Sequence, residues 1–387
     1  MRCDIIIPVW NQLEYTKACV EHIVKNTRFR YRLIVIDNGS GAETKAYLEG
    51  LKGDSCIEYE LIRNDENLGF VKAVNQGLSR STGEYVCVMN NDTLPAPGWL
   101  ERMIDFADTH PMAGLINPQQ SGHGDMTLEE YASLLEKRKG AYMEMNQCQG
   151  FCMLMKREVL DTVGLLDEAF GIGGYDDTDY SMRAYRAGYL SVAIKDSYVY
   201  HRLHGSFDVS GDRESWVRKN RALYYAKWGR HLRVGIRVSQ DEATDEEFER
   251  VLLFAYGLAR ELSWVHLWFN IPKGGAPLEE RAAQVLEKNG LAPHQNIRVD
   301  RFELPAAVFD AALAAKLIER MRARMRDKRF DGLVMRPGEA HAPLVLAARL
   351  TGAAIVRFKA GRDAAGCLEE GKAAARAIRE KANVRTV

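Results

Sequence analysis

The sequence lacks an excess of charge of either sign, since its 387 residues carry 53 Lys+Arg against 53 Asp+Glu. That balance excludes a protein that grips nucleic acid through a global positive field. It also lacks a long apolar run, and without about 18 consecutive apolar residues no segment spans a bilayer as a helix. Cysteine is scarce and odd in number, 7 residues with no disulfide-like spacing, which predicts reduced thiols in a cytosolic setting. No short-period repeat and no low-complexity segment is present. The opening MRCDIIIPVW enters a strand-like run directly, without the h-region and cleavage site of a signal peptide. These features predict a cytoplasmic protein. Hydrophobic residues make up 46% of the chain, too many for a disordered polymer. At about 150 residues per domain the length predicts two or three domains, each able to bury a core.

Strand and helix signals alternate through the N-terminal part. Cys3–Val9 is an apolar strand-like run, and Gln12–Lys25 has helical spacing with Asn11 as its expected N-cap. Arg32–Ile36, Ile57–Ile62 and Tyr85–Met89 read as strands, Phe70–Leu78 as a helix. Such alternation predicts an α/β fold with a mainly parallel sheet, whose ligands gather at the carboxyl ends of the strands. Pro118–Gly140 carries no strand period and is expected to be a long loop, of the kind usually functional or mobile. Leu190–Tyr200 is strand-like and Trp216–Trp228 is helical and aromatic. A domain boundary is expected near Gly229–Leu232, giving domains at 1–230 and 231–387. In the second, Leu232–Val238, Trp264–Phe269, Ile297–Val299, Gly332–Met335 and Ala353–Phe358 read as strands. Helices are expected at Leu278–Lys288, Ala307–Arg326 and Ala342–Leu350, with another opened by the capping box Thr244-x-x-Glu247. The Ala-rich, charged stretch Leu368–Lys381 is expected to be an exposed helix.

Four polar clusters follow strand ends in the first domain. Pro8-Val9-Trp10-Asn11 and Asp37-Asn38-Gly39-Ser40 could meet a nucleoside, the Asp accepting from a base or ribose; the second is also ordinary turn chemistry. Asn67-Leu68-Gly69 leads into a helix carrying Asn75, small residues that admit a ligand or simply cap the helix. Asn90-Asn91-Asp92-Thr93 offers a carboxylate flanked by amide oxygens, suited to a hard divalent cation holding a diphosphate, or to a turn. Gly171-Ile172-Gly173-Gly174 precedes Asp176, Asp177 and Asp179. Helix capping accounts for one or two of those carboxylates, and the third is more than capping requires. His201 and His204 follow nearby; a His beside a carboxylate cluster is a metal candidate, although a lone His is more often structural.

The segments IIIPVWN, VIDNGS, NLGFVKAVNQGL, VMNNDT, GLLDEAF, YDDTDYSMRAYRAGY and VYHRLHGS stand in an order and spacing that resembles family 2 glycosyltransferases, over about residues 1–230. The resemblance implies a GT-A nucleotide-sugar-binding domain and an inverting hexosyl- or deoxyhexosyltransferase. Asp37 corresponds to the family's nucleoside-contacting carboxylate, with Pro8, Asn11, Asn67, Gly69, Asn75, Asn90 and Asn91 on the donor side. Asn90-Asn91-Asp92 occupies the Asp-x-Asp position with its first Asp replaced, leaving Asp92 and His201 to hold Mg²⁺ or Mn²⁺. Asp176-Asp177-x-Asp179-x-x-x-Arg183 matches the Glu-Asp-x-Asp-x-x-x-Arg pattern, which makes Asp177 the base and Asp176 its competitor. Ser206 matches a Ser that follows the His. A nucleotide-sugar donor and a hydroxyl-bearing glycan, lipid-linked or protein acceptor are the implied partners. Peripheral contact with the inner membrane surface and homo-oligomerisation stay open.

Two rivals bear on this expectation. A nucleotidyltransferase needs a Gly-rich loop with a basic residue after the first strand, where this chain has Pro8-Val9-Trp10-Asn11. A non-catalytic nucleotide-sugar-binding scaffold, or a subunit of a larger glycosylation assembly, is permitted by Asn90 and opposed by Asp92 and Asp177. The second domain is similar to one Rossmann-like half of a GT-B glycosyltransferase. Its Arg336 and His341 read as acceptor contacts or as capping residues. Its basic stretch Lys316, Arg320, Arg322, Arg324 and Arg326 reads as a solvated face or as a contact for a polyanion or anionic lipid.

Overall fold

The apolar run at the N terminus becomes a central strand, buried on both faces: Ile5, Ile6 and Ile7 are wholly inaccessible. Such burial on both faces is what a continuous apolar run means in a parallel sheet. In this computed structural model the chain divides into two compact units, Met1–Trp228 and Gly229–Val387. The structure describes residues 3–53, 58–120, 122–202, 213–238, 244–271, 277–321, 328–336, 341–358 and 363–383. His204, Ser206, Arg322, Arg324 and Arg326 lie outside them.

The first unit runs β1 (Cys3–Val9), α1 (Leu13–Asn26), β2 (Tyr31–Asn38), α2 (Ala42–Gly50), β3 (Glu58–Asn64), α3 (Phe70–Arg80), β4 (Tyr85–Met89) and β5 (Thr93–Pro95). It continues through α4 (Trp99–Thr109), β6 (Ala113–Gln119), α5 (Leu128–Leu135), β7 (Tyr142–Met145), β8 (Cys152–Lys156), α6 (Arg157–Val163), α7 (Asp176–Arg186), β9 (Leu190–His201) and α8 (Arg213–Trp228). The strands form one nine-stranded sheet in the order β3-β2-β1-β4-β8-β6-β9-β5, with β7 added on β9. β3, β2, β1 and β4 are parallel, and β4–β8 and β8–β6 are antiparallel. Val9 pairs with Asp37 and Asp37 with Arg63, so the polar turns after β1, β2 and β3 share one edge of the sheet. The mixed α/β architecture agrees with the sequence expectation.

Two local expectations fail in this unit. Asn11 does not cap α1. It and Gln12 both take positive φ, 56° and 57°, whereas an N-cap needs extended backbone. Asn11 instead receives the Gly41 N–H on Oδ1 at 2.8 Å and donates its own N–H to Ser40 Oγ at 2.9 Å. It therefore ties the end of β1 to the turn after β2. Pro118–Gly140 is not a plain loop, because α5 lies inside it. The Thr127 side chain accepts from Glu130 N and the Glu130 side chain from Thr127 N, a complete capping box.

The second unit contains β10 (Leu232–Val238), α9 (Asp245–Arg260), β11 (Ser263–Asn270), α10 (Leu278–Lys288), β12 (Ile297–Phe302), α11 (Ala306–Glu319), β13 (Gly332–Met335), α12 (Ala342–Thr351), β14 (Ala354–Arg357) and α13 (Ala364–Asn383). Its five strands are all parallel in the order β12-β11-β10-β13-β14. The chain starts in the middle and winds outward both ways, a doubly wound arrangement. α11 ends at Glu319, short of the expected Arg326. α13 is not the exposed helix expected of its composition. Ala375 and Ile378 are wholly buried, and a Cβ on Gly257 of α9 would stand 2.0 Å from Leu368 O of α13. The alanines and Gly371 let the two helices approach backbone to backbone, which a charge count does not reveal.

Candidate active site

The polar turns at the carboxyl edge of the first unit open on one cleft with two halves. The first half, of about 220 Å³, is lined by Pro8, Val9, Trp10, Asn38, Asn67, Gly69, Phe70, Asn90, Asn91, Ile172 and Trp216. The second, of about 390 Å³, is lined by Gln120, Gln149, Gly150, Phe151, Gly173, Gly174, Asp176, Asp177, His201 and Val217. Phe70, Asn90 and Trp216 belong to both halves, so one wall joins them.

An amide network shapes the first half. Asn38 Nδ2 donates to Asn67 Oδ1 at 2.8 Å, and Asn38 Oδ1 accepts from Asn64 Nδ2 and Leu68 N. Asn67 Oδ1 also takes the Gly69 N–H at 2.9 Å, fixing the turn into α3. Gly69 sits at φ 88°, and a Cβ there would stand 3.1 Å from Gly171 O. The glycine lets the Gly171 loop lie over the start of α3, where Gly171 O accepts from Val71 N at 3.2 Å. Three expected donor-side residues stand off this cleft. Asp37 is wholly buried, with Oδ1 taking the Ser40 N–H and Oδ2 the Arg63 guanidinium; its neighbour Asn38 lines the cleft instead. Asn11 holds the Ser40–Gly41 turn. Asn75 grips the Leu166 backbone through both ends of its amide, at 3.0 Å each, and lines a separate open groove.

Asn90 lines both halves and His201 the second, with Asp92 beside His201. β5 pairs with β9 so that Thr93 stands opposite His201, which brings the histidine back to the turn after β4. His201 Nε2 is 3.3 Å from Asp92 Oδ1 and 3.4 Å from Asn90 Nδ2. The imidazole is stacked on Phe151, with ring centroids 5.3 Å apart. Asn91 is held by its Nδ2–H to Thr16 Oγ1 at 2.9 Å.

The carboxylates at the start of α7 separate into two kinds. Asp179 is wholly buried and accepts from Arg183 Nε at 2.9 Å, Lys227 Nζ at 2.6 Å and Trp228 Nε1 at 2.9 Å. It clamps α8 to α7 and does not reach the cleft. Asp176 and Asp177 do. Asp176 is buried, with Oδ1 accepting from Gly174 N at 2.7 Å. Asp177 is half-buried; its Oδ2 accepts from Gly150 N at 2.9 Å and its Oδ1 from Thr178 N at 2.7 Å. Desolvation, then the charge of Asp177, pushes the Asp176 carboxyl up to about 7. Desolvation also raises Asp177, against the pull of the Gly150 and Thr178 amides. Two such carboxyls hold a proton between them near neutrality. The Gly-rich loop before them is fastened by Asn220 of α8, whose Nδ2 donates to Phe170 O and Gly173 O at 2.8 and 3.0 Å. One helical turn earlier, Trp216 faces the cleft.

Residues 4–164 match the family model described as glycosyl transferase family 2. These residues form a family 2 glycosyltransferase domain. The chain is 24% identical over 201 residues to glycosyltransferase AglE of Haloferax volcanii, covering 48% of this chain and 62% of that one. It is 23% identical over 257 residues to glycosyltransferase GlyG of Streptococcus pneumoniae, covering 61% and 82%. An uncharacterized protein of Sinorhizobium fredii, y4gI, is 27% identical over 253 residues, of which the match spans 28% of its length. Among solved structures, S. aureus TarS 1–349 in complex with UDP-GlcNAc overlaps 91% of this chain and 93% of its own at 15% identity and a TM-score of 0.48.

Asp92 and His201 form a two-residue set, since no three His, Cys, Asp or Glu side chains converge among the described residues. Asp92 Oδ1 is buried without a hydrogen-bond partner. An orphaned carboxylate oxygen beside an imidazole nitrogen and an amide fits a divalent cation that keeps positions open for phosphate. Sequence reasoning missed the aromatic and apolar lining, namely Phe70, Phe151, Ile172 and Trp216. Trp10 and Phe70 lay inside motif segments, flanking polar turns, and that position was the available signal. Trp216 had none, because only the packing of α8 turns it inward.

Proposed function

We propose that the chain is a metal-dependent, inverting glycosyltransferase that moves a hexosyl or deoxyhexosyl group from a nucleotide sugar to a hydroxyl acceptor. The acceptor is a glycan, a lipid-linked saccharide or a protein. The observation that carries this reading is the single cleft: an amide-and-aromatic half and a carboxylate half joined at Asn90, with His201 on the carboxylate half and Asp92 beside it. The first half takes the donor, with Trp10 and Phe70 offering apolar surface to the base and Asn38, Asn67 and Asn91 framing it. Asp92 and His201 would hold Mg²⁺ or Mn²⁺, whose chemistry there is to neutralise the diphosphate as it leaves.

The second half takes the acceptor. Asp177 is the base, because it is the more exposed carboxylate of the pair and its oxygens are aimed by the Gly150 and Thr178 amides. It accepts the hydroxyl proton as the acceptor oxygen bonds to the anomeric carbon and the carbon–diphosphate bond breaks. One displacement inverts that carbon, so no second nucleophilic carboxylate is required. Asp176 lies deeper and is the harder of the two to ionise, held protonated by desolvation and by the charge of Asp177. The Gly171–Gly174 loop and Trp216 exclude water, which would otherwise compete as acceptor. Asn90, standing where the family pattern has Asp, favours a second reading as a non-catalytic nucleotide-sugar scaffold; Asp92 and Asp177 count against it.

A panel of UDP-, dTDP- and GDP-sugars, assayed for hydrolysis and transfer with Mn²⁺ and with EDTA, tests the proposal. One donor class should turn over and lose its turnover in EDTA. Absence of turnover together with absence of nucleotide binding refutes it.

A further inference from the structure

Cations gather at the amino end of the second unit's sheet, opposite the edge where doubly wound sheets ordinarily bind ligands. In the parallel register Gly235 pairs with His266 and His266 with Arg298. Arg233, His266, Arg298 and Asp300 therefore project from one face of β10, β11 and β12. Lys316 and Arg320 come to the same place from the end of α11. Asp300 takes Arg298 Nε at 2.8 Å and Lys316 Nζ at 3.7 Å. The next near carboxylate, Asp331, is taken by Arg230 and by the Arg233 amide.

That leaves two guanidiniums without a carboxylate partner among the described residues. Arg233 donates from Nη1 to His266 Nε2 at 3.1 Å, and its Nε is buried with no hydrogen-bond partner. Arg320 lies over the Phe330 ring at 5.0 Å and donates only to Lys328 O. A histidine that accepts from an arginine must be neutral at that nitrogen. Burial, then the charges of Arg233, Arg320 and Arg298, lowers the His266 pKa to about 4. Like charges brought together and partly desolvated are costly unless a counter-charge arrives.

We infer that this end of the second unit binds a phosphate-bearing anion, with Arg233 and Arg320 taking its oxygens and Lys316 and Arg298 forming the exposed rim. Guanidiniums suit phosphate because their forked donors meet two oxygens at once. The inference is independent of the transferase reading. Phosphate oxygens could come from a free diphosphate or from a lipid headgroup, and two probes separate these sources.

The full chain in EDTA is titrated calorimetrically with inorganic pyrophosphate. It is also co-sedimented with phosphatidylglycerol vesicles against phosphatidylcholine vesicles. Arg233→Met with Arg320→Met should weaken whichever binding is seen at least about tenfold, the loss of two charge-assisted contacts. Arg376→Gln, which removes a charge from α13, should leave it unchanged. Arg320→Met alone, at a half-exposed site, should weaken binding several-fold and serves if the double variant unfolds. Pyrophosphate binding without vesicle binding assigns a soluble ligand, and selective binding to phosphatidylglycerol assigns a headgroup. Binding of neither probe, or binding that the arginine variants leave intact, overturns the inference.

Discussion

Asp179→Asn should loosen the cleft from behind without touching it. The wild-type carboxylate is wholly buried and joins three donors, one from α7 and two from α8. Asparagine keeps the volume and one acceptor for Trp228 but removes both ion pairs. Breaking a buried ion pair from one side costs about 3–5 kcal/mol. The Arg183 and Lys227 side chains are 24% and 31% exposed and recover part of their hydration, which reduces the cost to about 2–4 kcal/mol. For a unit of this size each kcal/mol moves the melting temperature by about 2–4 °C, so the first unit should melt about 5–15 °C lower. Differential scanning calorimetry reads that transition. A second readout is functional. α8 carries Trp216 into the cleft and Asn220 onto the Gly-rich loop, so nucleotide affinity should fall with the melting temperature. A variant that melts within 2 °C of wild type and binds nucleotide normally would refute the idea that Asp179 is a clamp rather than a third acid of the site.

Two further outcomes follow from packing and charge. Gly371→Ala in α13 should destabilise the second unit by about 3 kcal/mol, near the upper range for overpacking, because a Cβ there would stand 2.1 Å from Phe254 O; urea denaturation of the full chain reads it. The Asp176–Asp177 pair sets a pH dependence. Both carboxyls titrate above their ordinary range, Asp176 at about 7, so between about pH 4 and that value the folded chain keeps a proton the unfolded chain has lost. Stability is therefore highest below that window and falls as pH rises through it. Asp176→Asn should accordingly raise the urea midpoint at pH 8 and leave it unchanged at pH 4.

β1, β2 and β4 of the first unit were legible because they are buried on both faces. Ile5–Ile7 and Val86–Met89 read as continuous apolar runs whatever pairs with them. α10 and β13 were equally plain, each bounded by residues that start or stop its period. Asn11 was misread because cap propensity speaks only for local backbone, whereas Ser40 and Gly41 decide its conformation. The tail helix was misread because Gly257 against Gly371 is a contact between distant segments. Motif order pointed to Asp177 and His201, which line the cleft, and to Asp92, which stands beside His201. It put Asp37 on the donor side, whereas in this structure that buried carboxylate is taken by Arg63 and the Ser40 amide, partners that a strand-end acid does not reveal in sequence. It left Trp216 unseen, since nothing local marks which side of α8 turns inward.

The central claim is that Asp177 removes the acceptor proton while the other half of the cleft holds the donor. The measurement that tests it most directly is kcat for transfer, with donor affinity, in Asp177→Asn beside Asp176→Asn, once the donor panel has supplied a substrate. The account predicts a loss in kcat of about 10²–10⁴-fold for Asp177→Asn at near-normal donor affinity, with Asp176→Asn retaining most of its rate above neutral pH. Full activity in Asp177→Asn, with the loss falling on Asp176→Asn instead, would contradict it.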